Sequence, residues 1–283
     1  MKTIMLLTLL STINNLDSLA QSKLLPLFNT QTQSFEGTPV EQAKYLLAPV
    51  KKYAKIGENL VALPPILEQL LSGNFMIDKQ KLKVYLSNNQ ISEENIGGSL
   101  DDMVSKTQKG SLAKYFVIHD TSTPNYGQLQ IPSNIDSANW KPSLLKSYKN
   151  APKKSAHIFI DRVGNSITQN NLNIPWRATK LELKTIGVAS RGLFLHIESI
   201  QPRKADPNKA NDAIAPMPGF SQTQLKRLAL VYIVASMRRG QWLIPTYHAV
   251  LDNGLSDGHD DPQNFNLNEW GSILSTLIEN INQ

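Results

Sequence analysis

The chain contains no cysteine in 283 residues. That single absence removes disulfides, thiolate metal ligands and a cysteine nucleophile together, and leaves the compartment open. No run rich in lysine and arginine occurs either, and basic residues do not interleave with aromatics, so nucleic acid is set aside as a partner. Long apolar runs are also missing. The longest near the start, Ile4–Leu10, is too short to cross a bilayer, and no membrane span is expected. The short metal-binding patterns are absent as well: no HExxH, no finger spacing and no EF-hand loop. What remains is 41% hydrophobic and 18% charged, the balance of a folded domain rather than a disordered chain. The net charge of +6 suits an anionic polymer such as acidic lipid or bacterial wall.

The N-terminus carries the first positive signal. Lys2 precedes Ile4–Leu10, and Ser18 and Ala20 stand at the −3 and −1 positions before Gln21. This is the pattern of a secretory signal peptide over residues 1–20, so a periplasmic or secreted protein is expected. Residues 21–37 are rich in Gln, Thr and Ser and read as a linker. Thr38-Pro39-Val40-Glu41 starts a helix, with a threonine cap, proline at the first helical position and glutamate three after the cap; it is expected to run to about Lys55. Pro65 opens a second helix, while the alternation in Lys81–Ser87 fits either helix or strand. Residues 21–108 therefore read as a mostly helical N-terminal extension.

From about residue 110 the pattern changes. Lys114–Asp120, His157–Arg162 and Gly192–Ser199 are apolar runs bounded by turn residues, and Asp161–Asn165 is a turn leading to a partner strand at Ser166–Gln169. Ser221 with Gln224, and Asn266 with Glu269, are two further capping signals ahead of amphipathic helices. Residues 109–283 are expected to form an α/β domain with a central mixed β-sheet flanked by helices.

Several polar residues stand out against this frame. His119 closes an apolar strand, a position that fits a hydrogen-bonded strand-end histidine or a ligand. Glu198 shares a strand face with Phe194 and His196. A carboxylate there is costly to bury unless it is paired or functional, and an exposed edge strand is the alternative. The stretch Tyr247–Pro262 packs two of the five histidines beside four aspartates, which reads as a metal site or a solvated acidic loop. Two imidazoles with one carboxylate form a zinc ligand set that leaves a fourth position for water.

The order of these motifs over residues 113–270 resembles the zinc-dependent N-acetylmuramoyl-L-alanine amidases, which include anhydro-muropeptide amidases, phage lysozyme-type amidases and peptidoglycan recognition proteins. YFVIHDTSTP resembles the first ligand strand of that family, and SAHIFIDRVGNSITQ its Ser-Ala-His hairpin. NIPWRAT is similar to its Trp-His-Ala segment, LHIES to its Ile-Gly-Ile-Glu strand, and GFSQTQLKRLALVYIVASMRRG to the helix before the second ligand. YHAVLDNGLSDGHDDP is similar to its final loop, which ends in Lys-x-Asp-Pro.

The resemblance implies His119, His248 and Asp261 as zinc ligands, Asp261 being chosen because Pro262 follows it. It implies Glu198 as the catalytic glutamate and places His259 where the family has a lysine, as donor to the oxyanion or as a ligand in its own right. Besides His259 for that lysine, the loop from His248 to Asp261 is longer than in the anhydro-muropeptide amidases, Arg177 stands for the family's histidine, His196 for its strand glycine, and Ala156 for a tyrosine of the phage members. His157, Trp176, Arg177 and His196 are candidate substrate contacts, with core packing the alternative for both histidines and for Trp140 and Trp176. The expected activity is hydrolysis of the bond between N-acetylmuramic acid and L-alanine in peptidoglycan or muropeptides. A non-catalytic peptidoglycan-binding protein on the same fold is the alternative.

Overall fold

The computed structural model describes residues 27–141, 143–208 and 213–283, so the expected signal segment 1–20 lies outside the described residues. Five strands form the central sheet: β1 (Tyr115–Asp120), β2 (Ile158–Ile160), β3 (Ser166–Thr168), β4 (Phe194–Ser199) and β5 (Ile244–Tyr247). Their order is β5-β1-β4-β2-β3. All neighbours run parallel except β2 and β3, which form the hairpin. The mixed α/β architecture is therefore as expected. Asp161 builds the hairpin turn by accepting backbone N–H bonds from Val163 (3.2 Å) and Asn165 (2.8 Å) through Oδ1. Gly164 completes it at φ +84°, where a Cβ would sit 2.8 Å from the Thr223 carbonyl oxygen, so both backbone angle and space require glycine.

Among the described residues seven α-helices surround the sheet: α1 (Pro39–Leu46), α2 (Pro65–Ser72), α3 (Lys79–Asn88), α4 (Leu145–Lys149), α5 (Gln222–Arg239), α6 (His248–Leu251) and α7 (Leu267–Asn282). The capping box of α1 forms as expected, but the helix ends at Leu46 instead of near Lys55. Pro49 follows closely and cannot continue it. The ambiguous segment 81–87 is helical. Asp78 caps α3 through the Lys81 N–H, and Leu82 and Leu86 turn inward while Val84 stays exposed. Ser221 caps α5 at 3.1 Å, yet Gln224 does not complete the box. Its Nε2 donates instead to the carbonyls of Ile160 and Ile200, which pins α5 to the ends of two strands.

The mostly helical extension expected over 21–108 is not supported. Within its described part, three helices alternate with two-residue strand pairs, and Phe28, Phe35, Leu46, Leu67, Leu82 and Ile96 enter the same core as the sheet. Part of the expected linker is itself ordered as a hairpin, Phe28–Asn29 against Ser34–Phe35. Tyr115 of β1 ties it down by accepting the Phe35 N–H at 2.8 Å and donating to Gln42 Oε1 at 2.9 Å. Two phenylalanines in a polar stretch are enough to anchor it, because each carries a large apolar surface.

The two faces of the sheet differ in chemistry. Phe116 packs edge-on against Tyr232 of α5, and Tyr232 in turn meets Trp270 of α7. Strand alternation sends Tyr115, Val117 and His119 to the other face, in register with Phe194, His196 and Glu198. That face begins as an aromatic stack, Tyr115 on Phe194 at 4.9 Å, and ends as a cluster of ionisable groups.

Candidate metal centre

Parallel pairing brings the carboxyl ends of β1, β4 and β5 to one edge of the sheet, the usual position of a site in an open α/β fold. His119 lies at the end of β1, Glu198 at the end of β4, and His248 is the first residue of α6, directly after β5. Asp261 returns to this edge from the following loop. Its carbonyl accepts the Ala249 N–H at 2.8 Å, and its Oδ2 accepts the Asp120 N–H at 3.1 Å. Buried His119, His248 and Asp261 lie close enough to bind a metal. His119 Nδ1 is 2.8 Å from His248 Nδ1, and the Asp261 carboxylate is 3.1 Å from His248 Nδ1 and 3.6 Å from His119 Nδ1. Two imidazole nitrogens and one carboxylate oxygen, each from a different segment, make a donor set suited to a divalent transition metal.

The electrostatics follow from burial and proximity. Burial, with His248 and His196 adding to it, holds His119 well below the usual imidazole range, so its ring is neutral with a lone pair to offer. Burial acts on His248 in the same direction, but the charges of Asp261 and Asp252 outweigh it and raise His248 well above that range. Asp261 is lowered despite burial, because His248 faces it. Glu198 behaves differently. Its Oε1 lies 3.8 Å from His119 Nδ1, its Oε2 is buried with no partner, and burial followed by the Asp261 charge pushes it up to about 8.

A second layer of groups holds the first. Asp252 Oδ2 stands 3.1 Å from His248 Nε2, off the line of an ideal hydrogen bond, and 2.9 Å from His259 Nδ1, while its Oδ1 accepts the N–H groups of Lys180 and Leu181. A carboxylate on the ring nitrogen opposite the metal-facing one fixes tautomer and orientation in metal-binding histidines. Behind His119, its Nε2 meets His196 Nδ1 at 3.0 Å, and His196 Nε2 lies 3.1 Å from Glu182 Oε2, off the line of an ideal hydrogen bond. Asp120 beside the site is paired with Arg203 at 2.8 and 2.9 Å, and burial pushes this carboxyl up to about 6.

A cavity of about 650 Å³ opens over this edge. Glu198, His248, His259 and Asp261 line its floor, with Trp176, Arg177, Lys153, Lys154 and Arg191 around them. Of the expected substrate contacts, Trp176 and Arg177 therefore reach the cavity. His157 and His196 do not; both are wholly buried. His157 accepts the His196 N–H through Nδ1 at 3.0 Å and meets the Ile174 carbonyl through Nε2 at 3.1 Å, so neither nitrogen is left for a ligand. Trp140 packs in a small second core with Phe159 and Ile200. His259 stacks on His248 at 4.0 Å, with its side chain 45% exposed. With Asp252 and the far nitrogen of His248 it forms a second group whose ligand atoms lie close together.

Asp252 is one of the four aspartates of Tyr247–Pro262 that the sequence offers, and it follows His248 by one helical turn and so shares its face. Two residues here, Glu182 and Tyr148, escape the sequence. Glu182 carries no signal, for it sits on a π-helical turn, Leu181–Thr185, inside an unremarkable charged stretch. Tyr148 of α4 stacks on Phe159 at 4.1 Å and lines the cavity, where the Glu198 charge adds to burial in raising its phenol. No family model, no curated protein and no solved structure matches this chain.

Proposed function

We propose that the protein is a zinc-dependent amide hydrolase that cleaves the bond between N-acetylmuramic acid and L-alanine in peptidoglycan or its fragments. The observation that carries this reading is the convergence of His119 Nδ1, His248 Nδ1 and the Asp261 carboxylate beside a glutamate with an orphaned oxygen. The three ligands fit zinc, which when bound supplies Lewis acidity to an amide carbonyl and acidifies water. Glu198 supplies the proton traffic. Its Oε2 is buried without an internal partner, the residue lines the cavity, and burial beside the Asp261 charge raises the carboxyl's affinity for a proton, which suits a group that takes a proton from water and returns it to a leaving amine.

His259 fits the donor role. Its Nδ1 is engaged by Asp252, which leaves Nε2, when protonated, to donate to a developing oxyanion. The surrounding cations fit the rest of the substrate. Lys153, Lys154, Arg177 and Arg191 rim the cavity, and the Arg191 guanidinium lies 5.8 Å from the centre of the Trp176 ring. An aromatic plate among cations suits a sugar followed by an acidic peptide. The N-terminal pattern and the basic charge support a role at the cell wall outside the cytoplasm.

The test is a digest of purified muropeptides read by mass spectrometry, with and without a chelator. Intact stem peptides released only in the metal-loaded reaction support the reading. Products that keep the lactyl–alanine bond refute it, and tight binding without products would favour the non-catalytic alternative.

A further inference from the structure

We infer that His196 and Glu182 are positioning residues that fix the tautomer of His119 and turn its Nδ1 lone pair toward the metal site. The inference rests on reading His119, His248 and Asp261 as metal ligands. It follows from the direction of each contact in a buried row. A neutral imidazole has one donor nitrogen and one acceptor nitrogen, so the choice at one ring sets the next.

The row is anchored at its far end. Glu182 is wholly buried, and its Oε2 accepts the N–H groups of Ala178 (3.2 Å) and Thr179 (3.1 Å) and the Thr179 hydroxyl (3.0 Å). Three donors hold this oxygen in place as an acceptor, and its charge, 3.1 Å from His196 Nε2 though off the line of an ideal hydrogen bond, favours the proton on that nitrogen. His196 Nδ1 is then an acceptor, and at 3.0 Å it requires the proton of His119 on Nε2. His119 Nδ1 is thereby left bare, facing His248 Nδ1 at 2.8 Å and the Asp261 carboxylate. The opposite assignment places protons on both Nδ1 atoms of the row and closes the metal-facing position.

The backbone holds His196 in this role. Its N–H donates to His157 Nδ1 at 3.0 Å and its carbonyl accepts the His157 N–H at 3.0 Å. The ring stands in register beside Val117 on the strand that carries His119, one pleat back on the same face. Asp252 performs the matching task for His248, so each ligand histidine is steered by a buried carboxylate, one directly and one through a second ring. Outer partners of this kind typically set metal affinity by about 10- to 100-fold.

The experiment measures Zn²⁺ affinity by chelator competition in the full chain, wild type against His196→Phe and Glu182→Gln, together with histidine ¹⁵N shifts of the metal-free protein. Glu182→Gln is nearly isosteric and keeps an oxygen for the three internal donors, so it guards against a fold defect in the first variant. The expected result is about 10- to 100-fold weaker Zn²⁺ binding in His196→Phe and about 10-fold in Glu182→Gln. The wild-type His119 proton should sit on Nε2, and in His196→Phe it should shift wholly or partly to Nδ1. Variants that both bind within twofold of wild type overturn the inference, as does a wild-type His119 protonated on Nδ1. If the wild type binds no Zn²⁺, the metal-site reading fails instead, and the ¹⁵N shifts still decide the tautomer.

Discussion

Asp252 offers the sharpest test of how the centre is held, because its two oxygens do different work. Oδ1 accepts two backbone N–H bonds, from Lys180 at 2.8 Å and Leu181 at 3.2 Å, while Oδ2 faces His248 Nε2 and His259 Nδ1. The side chain is fully buried, so its hydrogen-bond partners have no water to turn to. Asp252→Ala strands both N–H groups at about 1–3 kcal/mol each, or about 2–6 kcal/mol in total, a large part of an ordinary domain's stability. Asp252→Asn keeps an oxygen for both N–H groups and replaces Oδ2 with an amide donor. That donor asks His248 Nε2 to accept, which drives the His248 proton onto the metal-facing Nδ1. The asparagine variant should therefore keep most of its stability yet bind Zn²⁺ about 10- to 100-fold more weakly, the effect of a lost outer partner. Urea unfolding of the metal-free protein reads the first quantity and chelator competition the second. An alanine variant with an unchanged urea midpoint, or an asparagine variant that binds Zn²⁺ within twofold of wild type, refutes the reasoning.

Three further outcomes are expected. Glu198→Gln should lower muropeptide hydrolysis by about 10²- to 10⁴-fold while the bound Zn²⁺ per chain stays unchanged, measured by product release and metal analysis; undiminished turnover would remove Glu198 from proton transfer. His259→Lys should retain activity with a pH profile moved upward, whereas His259→Ala should lose most of the rate; an alanine variant at full rate would show that His259 is no oxyanion donor. His157 is pushed down to about 3, first by burial and then by His196. The unfolded chain binds a proton there below about pH 6.5 and the folded one does not until near 3, so this stability is full above 6.5 and declines as pH falls. Between pH 6.5 and 4.5 it amounts to about 2 kcal/mol. In His157→Gln the fall in urea-unfolding free energy over that interval should shrink by about that amount, and an equal fall in both proteins would count against a buried neutral ring.

The residues of the candidate site are legible because each sits at a break in a strong pattern. His119 ends an apolar strand, Glu198 interrupts the apolar face of another, and His248 and Asp261 stand in the histidine- and aspartate-dense stretch Tyr247–Pro262. Strand polarity then does the rest, since three parallel strands cannot place their carboxyl ends anywhere but one edge. The layer behind them was not legible, and the reason is register. Whether His196 touches His119 depends on β4 pairing with β1 so that Val117 lies opposite His196 and His119 opposite Glu198. A slip of one residue would turn His196 to the α5 face, and nothing local to the strand forbids it. Glu182 adds a second non-local condition, because a π-helical turn distant in sequence must fold back over the sheet to meet His196. The segment before residue 108 misled for the opposite reason. Its composition is polar on average, whereas its hairpin is held by two phenylalanines and one tyrosine hydroxyl contributed by β1, and its helices by leucines that enter the core of the sheet. Residues of the candidate site stand out alone; the residues behind them become visible only as pairs. That is why His196, which stands in the sequence where the resembled family has a strand glycine, is in the fold the residue that meets His119 Nε2 at 3.0 Å.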